Sequence, residues 1–203
     1  MSAPPKTVLA ASPGEAERIR AAVRDPDLAA LGEGRAVAVE TDAEALAAFL
    51  ADPAVSDPIY DLPRPITVDN VRAWIRTSDA ERERGEGLLT VTRDAAGEVI
   101  SYSKFTVWPE RSSAELAGAV RASRQGGGQG GQGALHAFGW MFESLGVRLI
   151  GLTAALDNVR SARLIDAAGF ERMGERESVR ADGTIRRSLY WEMTKEAWNE
   201  RSR

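Results

Sequence analysis

The chain has 203 residues and a mass of 21.9 kDa, which suits one large domain better than two small ones. Apolar residues make up 43% and charged residues 28%, so it can bury a core, while a net charge of −4 argues against nucleic acid as the main partner. The absence of cysteine excludes disulfides, thiolate zinc sites and cysteine nucleophiles; a single histidine, His136, excludes histidine-rich metal sites, and no metal is expected. No apolar run approaches the ~18 residues of a membrane span, and the N-terminus lacks the pattern of a secretory signal, so the expected location is the cytoplasm.

Residues 1–35 read as an N-terminal extension rich in Ala, Pro and acid. A short helix is predicted from Gly14 to Val23, stopped at Asp25-Pro26 because a residue before proline is pushed out of the helical region. The main domain is predicted over 36–203. AVAVET (36–41) reads as a strand, and Thr41 or Asp42 can cap a helix to Leu50. Pro53, Pro58, Pro63 and Pro65 punctuate a loop, and Val71, Trp74 and Ile75 mark a helix over Val68–Ser78. GLLTVTRD and EVISYSKFTVW, joined by a turn at Ala95-Ala96-Gly97, read as a hairpin.

SSAELAGAV (112–120) is the next strand, its alternation putting Leu116 and Val120 on one face and Glu115, Ala117 and Ala119 on the other. The stretch RQGGGQGGQG (124–133) leads into a helix ending near Leu145, on which His136 falls beside Trp140 and Glu143 on a polar face. A buried strand (147–155), a helix ending at Gly169, a last strand (184–193) and a short closing helix follow. The order predicts an α/β (α+β) fold, one domain with a mixed sheet flanked by helices.

The glycine-rich turn carries the functional signal. Glycines at 126–128, 130, 131 and 133 free the backbone to present bare N–H groups, and a helix follows at once with its own unpaired first-turn amides. Together they make an anion cradle suited to a phosphate or pyrophosphate. A flexible linker would have the same composition, but a long floppy loop between two patterned elements is uncommon inside a domain. The Walker phosphate loop is ruled out by the absence of lysine near the turn, and the dinucleotide fingerprint by the absence of an acidic residue at its distance.

Gln125-Gly126-Gly127-Gly128-Gln129-Gly130 resembles the Q/R-x-x-G-x-G/A acyl-CoA signature of the GNAT acetyltransferase superfamily. Val120 stands where that family has an apolar residue beside the pantetheine arm, and Asn158-Val159-Arg160-Ser161 with Gly169-Phe170 resembles its N-x-x-S…GF segment. The proline-rich loop before the Trp74 helix and the ending GFERMGERESVRADGTIRRSLYWEMTKEAW are similar to the branch of ribosomal-protein-alanine N-acetyltransferases. The resemblance covers roughly residues 36–200. It implies a GNAT-type domain with a mostly antiparallel twisted sheet, acting as an N-acetyltransferase with acetyl-CoA as co-substrate.

The resemblance also implies roles. Gln125, Gly126, Gly127, Gly128, Gly130 and Gly131 would hold the pyrophosphate, and an amide near Ala119 or Val120 would polarise the thioester carbonyl. Asn158 would bond the pantetheine amides, although an ordinary helix cap explains it equally. Ser161 would give a proton to the departing thiolate, since the tyrosine that many family members carry four residues further on is here Ile165. Glu115 and Glu177 are alternative bases for the amine, and Tyr60 and Trp108 are candidates for lining the acceptor pocket. The acceptor would be a protein N-terminus or else a small-molecule amine such as an antibiotic or polyamine. A non-catalytic acyl-CoA-binding module is the rival from another class, favoured by Ile165. Neither nucleic acid nor membrane is an expected partner, and a homodimer is left open.

Overall fold

The computed structural model describes residues 3–59, 61–124, 129–179 and 185–201. Seven strands form one sheet in the order β1-β2-β3-β4-β5-β7-β6: Arg35–Val37, Gly87–Arg93, Val99–Trp108, Ser113–Val120, Leu149–Ala155, Glu171–Val179 (β6) and Ile185–Thr194 (β7). All neighbours are antiparallel except β4 and β5. The mixed, mostly antiparallel single domain is thus as the sequence predicts.

The helices take their ends from local chemistry. In α1 (Pro13–Arg24), Ser12 accepts from the Glu15 amide at 3.2 Å and proline occupies the first position. A four-residue helix, α2 (Leu28–Leu31), is capped by Asp27. The strand predicted over 36–41 ends at Val37 because Glu40–Asp42 closes a tight turn, in which the Asp42 carboxylate accepts from the Val39 amide at 2.9 Å. Asp42 is thereby engaged before α3 (Ala43–Leu50) and gives that helix no side-chain cap. A short α4 (Pro53–Ser56) lies inside the proline-rich loop. α5 (Val68–Arg84) runs six residues past the predicted end at Ser78, held by the Asp79–Arg82 ion pair and stopped by Gly85 at φ 74°. The later helices are α6 (Gln129–Glu143), α7 (Val159–Ala167) and α8 (Lys195–Arg201).

Two cores cover the two faces of the sheet. On one face, α1, α2, α6 and α7 bury Ile19, Val23, Leu31, Phe138, Phe142 and Ile165 against Leu88, Phe105, Ile150 and Trp191. On the other, α3, α4 and α5 bury Leu46, Phe49, Val55 and Ile75 against Leu89, Val91 and Tyr102. Residues from the N-terminal extension therefore belong to the main core.

Two expectations are corrected. Trp140 does not lie on a polar face: it is 3% exposed, its ring is 5.1 Å from that of Phe105, and its Nε1 donates to the Asp27 carbonyl at 2.9 Å. The chain around α2 folds over this side of α6, a long-range event invisible to helical periodicity. His136 stays exposed, one ring nitrogen 2.7 Å from the Ala30 carbonyl. No strand is predicted between Gly169 and residue 184 either, where the charge-dense run after Phe170 is in fact paired. It is β6, an edge strand paired to β7, where charge on an edge is tolerated and Arg187 bonds Glu175 at 2.6 Å.

α7 is fastened to β6 and β7 through one carboxylate. Asp166 accepts from Arg172 Nε and from the indole of fully buried Trp191, both at 2.9 Å. The Arg172 bond first, then the Trp191 bond, hold its pKa at about 2 against an ordinary 3.8. A depressed carboxylate stabilises the fold above its unfolded pKa and loses that contribution as pH falls. Urea midpoints should therefore drop between pH 3.8 and about 2, and the Asp166→Asn protein should start lower at pH 7 and lack this component of the fall. Trp140→Ala should cost about 3–5 kcal/mol in the same measurement.

Candidate active site

The composition of the two central strands sets the geometry. β4 and β5 pair in parallel at Ser113↔Leu149, Ala114↔Ile150 and Glu115↔Gly151, and there the register ends. Both strands run on, β4 to Val120 and β5 to Ala155, each fully paired on its outer side, to β3 and to β7. The sheet thus splits into two halves that part beyond Glu115. Arg121 N donates to Ile100 O at 2.8 Å, and an antiparallel ladder alternates. The amides of Ala117 and Ala119 consequently face β3, while those of Leu116, Gly118 and Val120 face the split. An extended ligand arm entering there meets main-chain groups spaced as a neighbouring strand would find them.

Because β4 and β5 are parallel, the helices that follow them start at the same end of the sheet. α6 begins at Gln129, inside the glycine-rich stretch 124–133, so Gly130 and Gly131 lie in its first turn rather than in a loop. A Cβ built on Gly131 or Gly133 would meet nothing within 4 Å, so these glycines face open space that a side chain would fill. The fit is that of a bare cradle for an anionic group at a helix N-terminus. Gln125, Gly126, Gly127 and Gly128 lie outside the described residues.

Three residues separate the end of β5 from the start of α7. Asn158 is its N-cap, its Oδ1 accepting from the Ser161 amide at 3.1 Å. Ser161 is half-buried one turn before Ile165, which is 5% exposed in the core. Ala119, Val120, Gly130, Gly131, Asn158 and Ser161 are thus gathered by topology around the mouth of the split. A cavity of about 670 Å³ borders Val120, Gly133 and His136 on the other side of β4, toward Arg35, Ile100 and Leu31. It adjoins the mouth without being the split. Arg35 donates to Ser103 Oγ there at 3.1 Å, and burial lowers its pKa.

Glu115 lies at the apex. It is 8% exposed and accepts from Thr153 Oγ1 at 3.0 Å. Glu177 does not join it. Glu177 pairs with Arg187, whose side chain shares the face of Leu189 and Trp191, the opposite face of the sheet, and it is exposed. Trp108 is half-buried on the Glu115 face, two residues beyond Glu115's partner Thr106, toward the closed end of the split. Tyr60 lies outside the described residues. Its neighbour Asp61 acts on Tyr102, whose phenol is pushed well up by burial first and by the Asp61 charge second. Tyr102 pairs with Ala119, meets Trp74 edge-on at 5.5 Å, and has no hydrogen-bond partner for its hydroxyl among the described residues. Thr153 has no place in the motifs read from the sequence. A lone hydroxyl in the apolar strand LIGLTAA was the available signal.

A split parallel pair with two helix N-termini at its mouth and a buried carboxylate at its apex defines an α/β enzyme fold for an elongated anionic ligand. The description "Acetyltransferase (GNAT) domain" matches residues 35–171, and the chain belongs to this GNAT acetyltransferase family, as an enzyme of the N-acyltransferase class. Its fold is similar to ribosomal-protein-S5-alanine acetyltransferase from Vibrio fischeri, with a TM-score of 0.68 at 14% identity over 81% of this chain and 93% of that one. Mycobacterium smegmatis RimJ, in complex with CoA-disulfide, gives 0.68 at 22% identity over 80% and 81%. YncA from Salmonella typhimurium, with acetyl-CoA, gives 0.58 at 19% identity over 79% and 92%. No curated protein matches the sequence significantly. Among the described residues no helix is long and apolar enough to cross a membrane.

Proposed function

We propose that this chain transfers the acetyl group of acetyl-CoA to a primary amine, the α-amino group of a protein N-terminus, and acts in the cytoplasm. The observation that carries the reading is the split itself, with Glu115 at its apex and the glycine-flanked start of α6 at its mouth. Gly130 and Gly131, with the preceding Gln125–Gly128, would hold the pyrophosphate through main-chain amides. The bound co-substrate supplies an activated thioester. The acceptor assignment draws on neighbours named as ribosomal-protein alanine acetyltransferases and on the motifs shared with that branch.

The chain's own groups divide the work. The Val120 amide, directed into the split, donates to the carbonyl oxygen as charge develops on it. Glu115 takes the proton that the amine gives up as its nitrogen bonds the acetyl carbon, directly or through one water, while Thr153 fixes the carboxylate oxygen it bonds. As the carbon–sulfur bond breaks, Ser161 returns a proton to the thiolate. Asn158, by capping α7, sets where Ser161 stands.

Release of free thiol from acetyl-CoA with a panel of peptide and small amines tests the reading. Calorimetric binding of coenzyme A without thiol release from any amine would leave only the non-catalytic module. Glu115→Gln keeps the Thr153 bond but cannot accept a proton, so kcat should fall by roughly two orders of magnitude. Gly131→Leu should keep or raise the melting temperature, since leucine is the better helix former and meets open space. It should nevertheless weaken coenzyme A binding by roughly tenfold.

A further inference from the structure

Residues 3–7 lie over the sheet as a non-helical strap, on the face that carries Glu115. Glu115, Gly151 and Glu192 are consecutive partners across β4, β5 and β7, so they form one row on one face, about 10 Å from end to end. The strap meets this row at two of its three positions, Gly151 and Glu192. The Thr7 amide donates to Glu192 Oε1 at 3.0 Å, and buried Pro5 stands over Gly151, its Cγ 3.2 Å from where a Cβ would be. The Lys6 amide donates to the Tyr190 hydroxyl at 3.2 Å, and that hydroxyl donates to Glu192 Oε1 at 2.6 Å. Arg111 donates to the Pro5 carbonyl at 2.7 Å, and Arg176 to the carbonyls of Ala3 and Pro4 at 3.0 and 2.7 Å.

These four clamp side chains, Arg111, Arg176, Tyr190 and Glu192, hydrogen-bond to main-chain atoms of the strap, and the Lys6 ammonium also lies 5.4 Å from the centre of the Tyr190 ring. That ammonium donates to the Met173 and Glu175 carbonyls. Burial raises the Glu192 pKa, but the bonds from Thr7 and Tyr190 outweigh it and keep the carboxyl below its ordinary value, as an acceptor of N–H groups. A clamp of acceptors for amides and guanidinium donors for carbonyls recognises an extended polypeptide with little regard to its sequence.

We propose that this row is the track for the acceptor polypeptide, and that residues 3–7 occupy it in cis until an acceptor chain displaces them. The inference rests on the reading above only in placing the acceptor's amine at Glu115; a chain leaving that point along the row crosses Gly151 and reaches Glu192.

Thr7→Pro removes the amide bonded to Glu192 and leaves every clamp side chain in place. The probe is the N-acetylated peptide of residues 2–8 (Ser-Ala-Pro-Pro-Lys-Thr-Val), labelled at its C-terminus and titrated by fluorescence anisotropy. A track occupied about nine-tenths of the time lowers apparent affinity roughly tenfold, so Thr7→Pro should bind the probe roughly tenfold more tightly than the unaltered protein. Adding Tyr190→Phe should cancel the gain. Unchanged or weaker binding to Thr7→Pro overturns the proposal. On the unaltered protein, saturating probe should speed hydrogen exchange at the Lys6 and Thr7 amides, and unchanged exchange also overturns it. This second reading serves if Thr7→Pro does not fold. Tight probe binding to Thr7→Pro without thiol release from any amine would sink the acetyl-transfer reading and leave the track standing. Thiol release from small amines with no gain in probe binding would do the reverse.

Discussion

The architecture of this protein turns on two parallel strands that stop bonding to each other. Three register pairs hold β4 to β5, and beyond Glu115 and Gly151 each strand keeps only its antiparallel partner. A sheet interrupted in this way directs main-chain groups of β4 toward the gap. A ligand that presents amides in an extended arm can bond there as an added strand would. The same parallel orientation sends α6 and α7 off from one end, so their positive ends converge on the gap without further design.

Around the gap the two faces of the sheet do different work. The face under α1, α6 and α7 is a packed aromatic and aliphatic core that fixes the helix starts. The other is more polar near the gap: Glu115 with Thr153, Tyr190 with Glu192, and beside Ala119 the Tyr102 hydroxyl, which has no partner among the described residues. Chemistry that moves a proton fits the second face, and a rigid anchor for the co-substrate fits the first. The strap belongs to the polar side, one strand from the carboxylate proposed to act as base.

The fold was legible in the sequence wherever local signals decide structure. The stop of α1 at Asp25-Pro26 is local chemistry, and the hairpin and the alternating strand SAELAGAV follow a period. Elements decided by distant partners were not legible. Trp140 reads as surface until the segment around α2 lies over it, and ERMGERESV carries no strand signal until β7 pairs with it. The site divides in the same way. Asn158 and the glycine turn are visible as motifs, whereas Thr153 and the clamp of Arg111, Arg176, Tyr190 and Glu192 exist only through contacts between residues far apart in the chain.

The region matching the family starts at residue 35, yet the cooperative unit starts earlier. Ile19, Val23 and Leu31 are at most 1% exposed, wedged among Leu88, Phe105 and Met141. A protein trimmed to the homologous boundary would bare the undersides of Phe105 and Trp140 to water. Its sticky new surface would promote self-association, so poor recovery of such a fragment would say nothing about its chemistry.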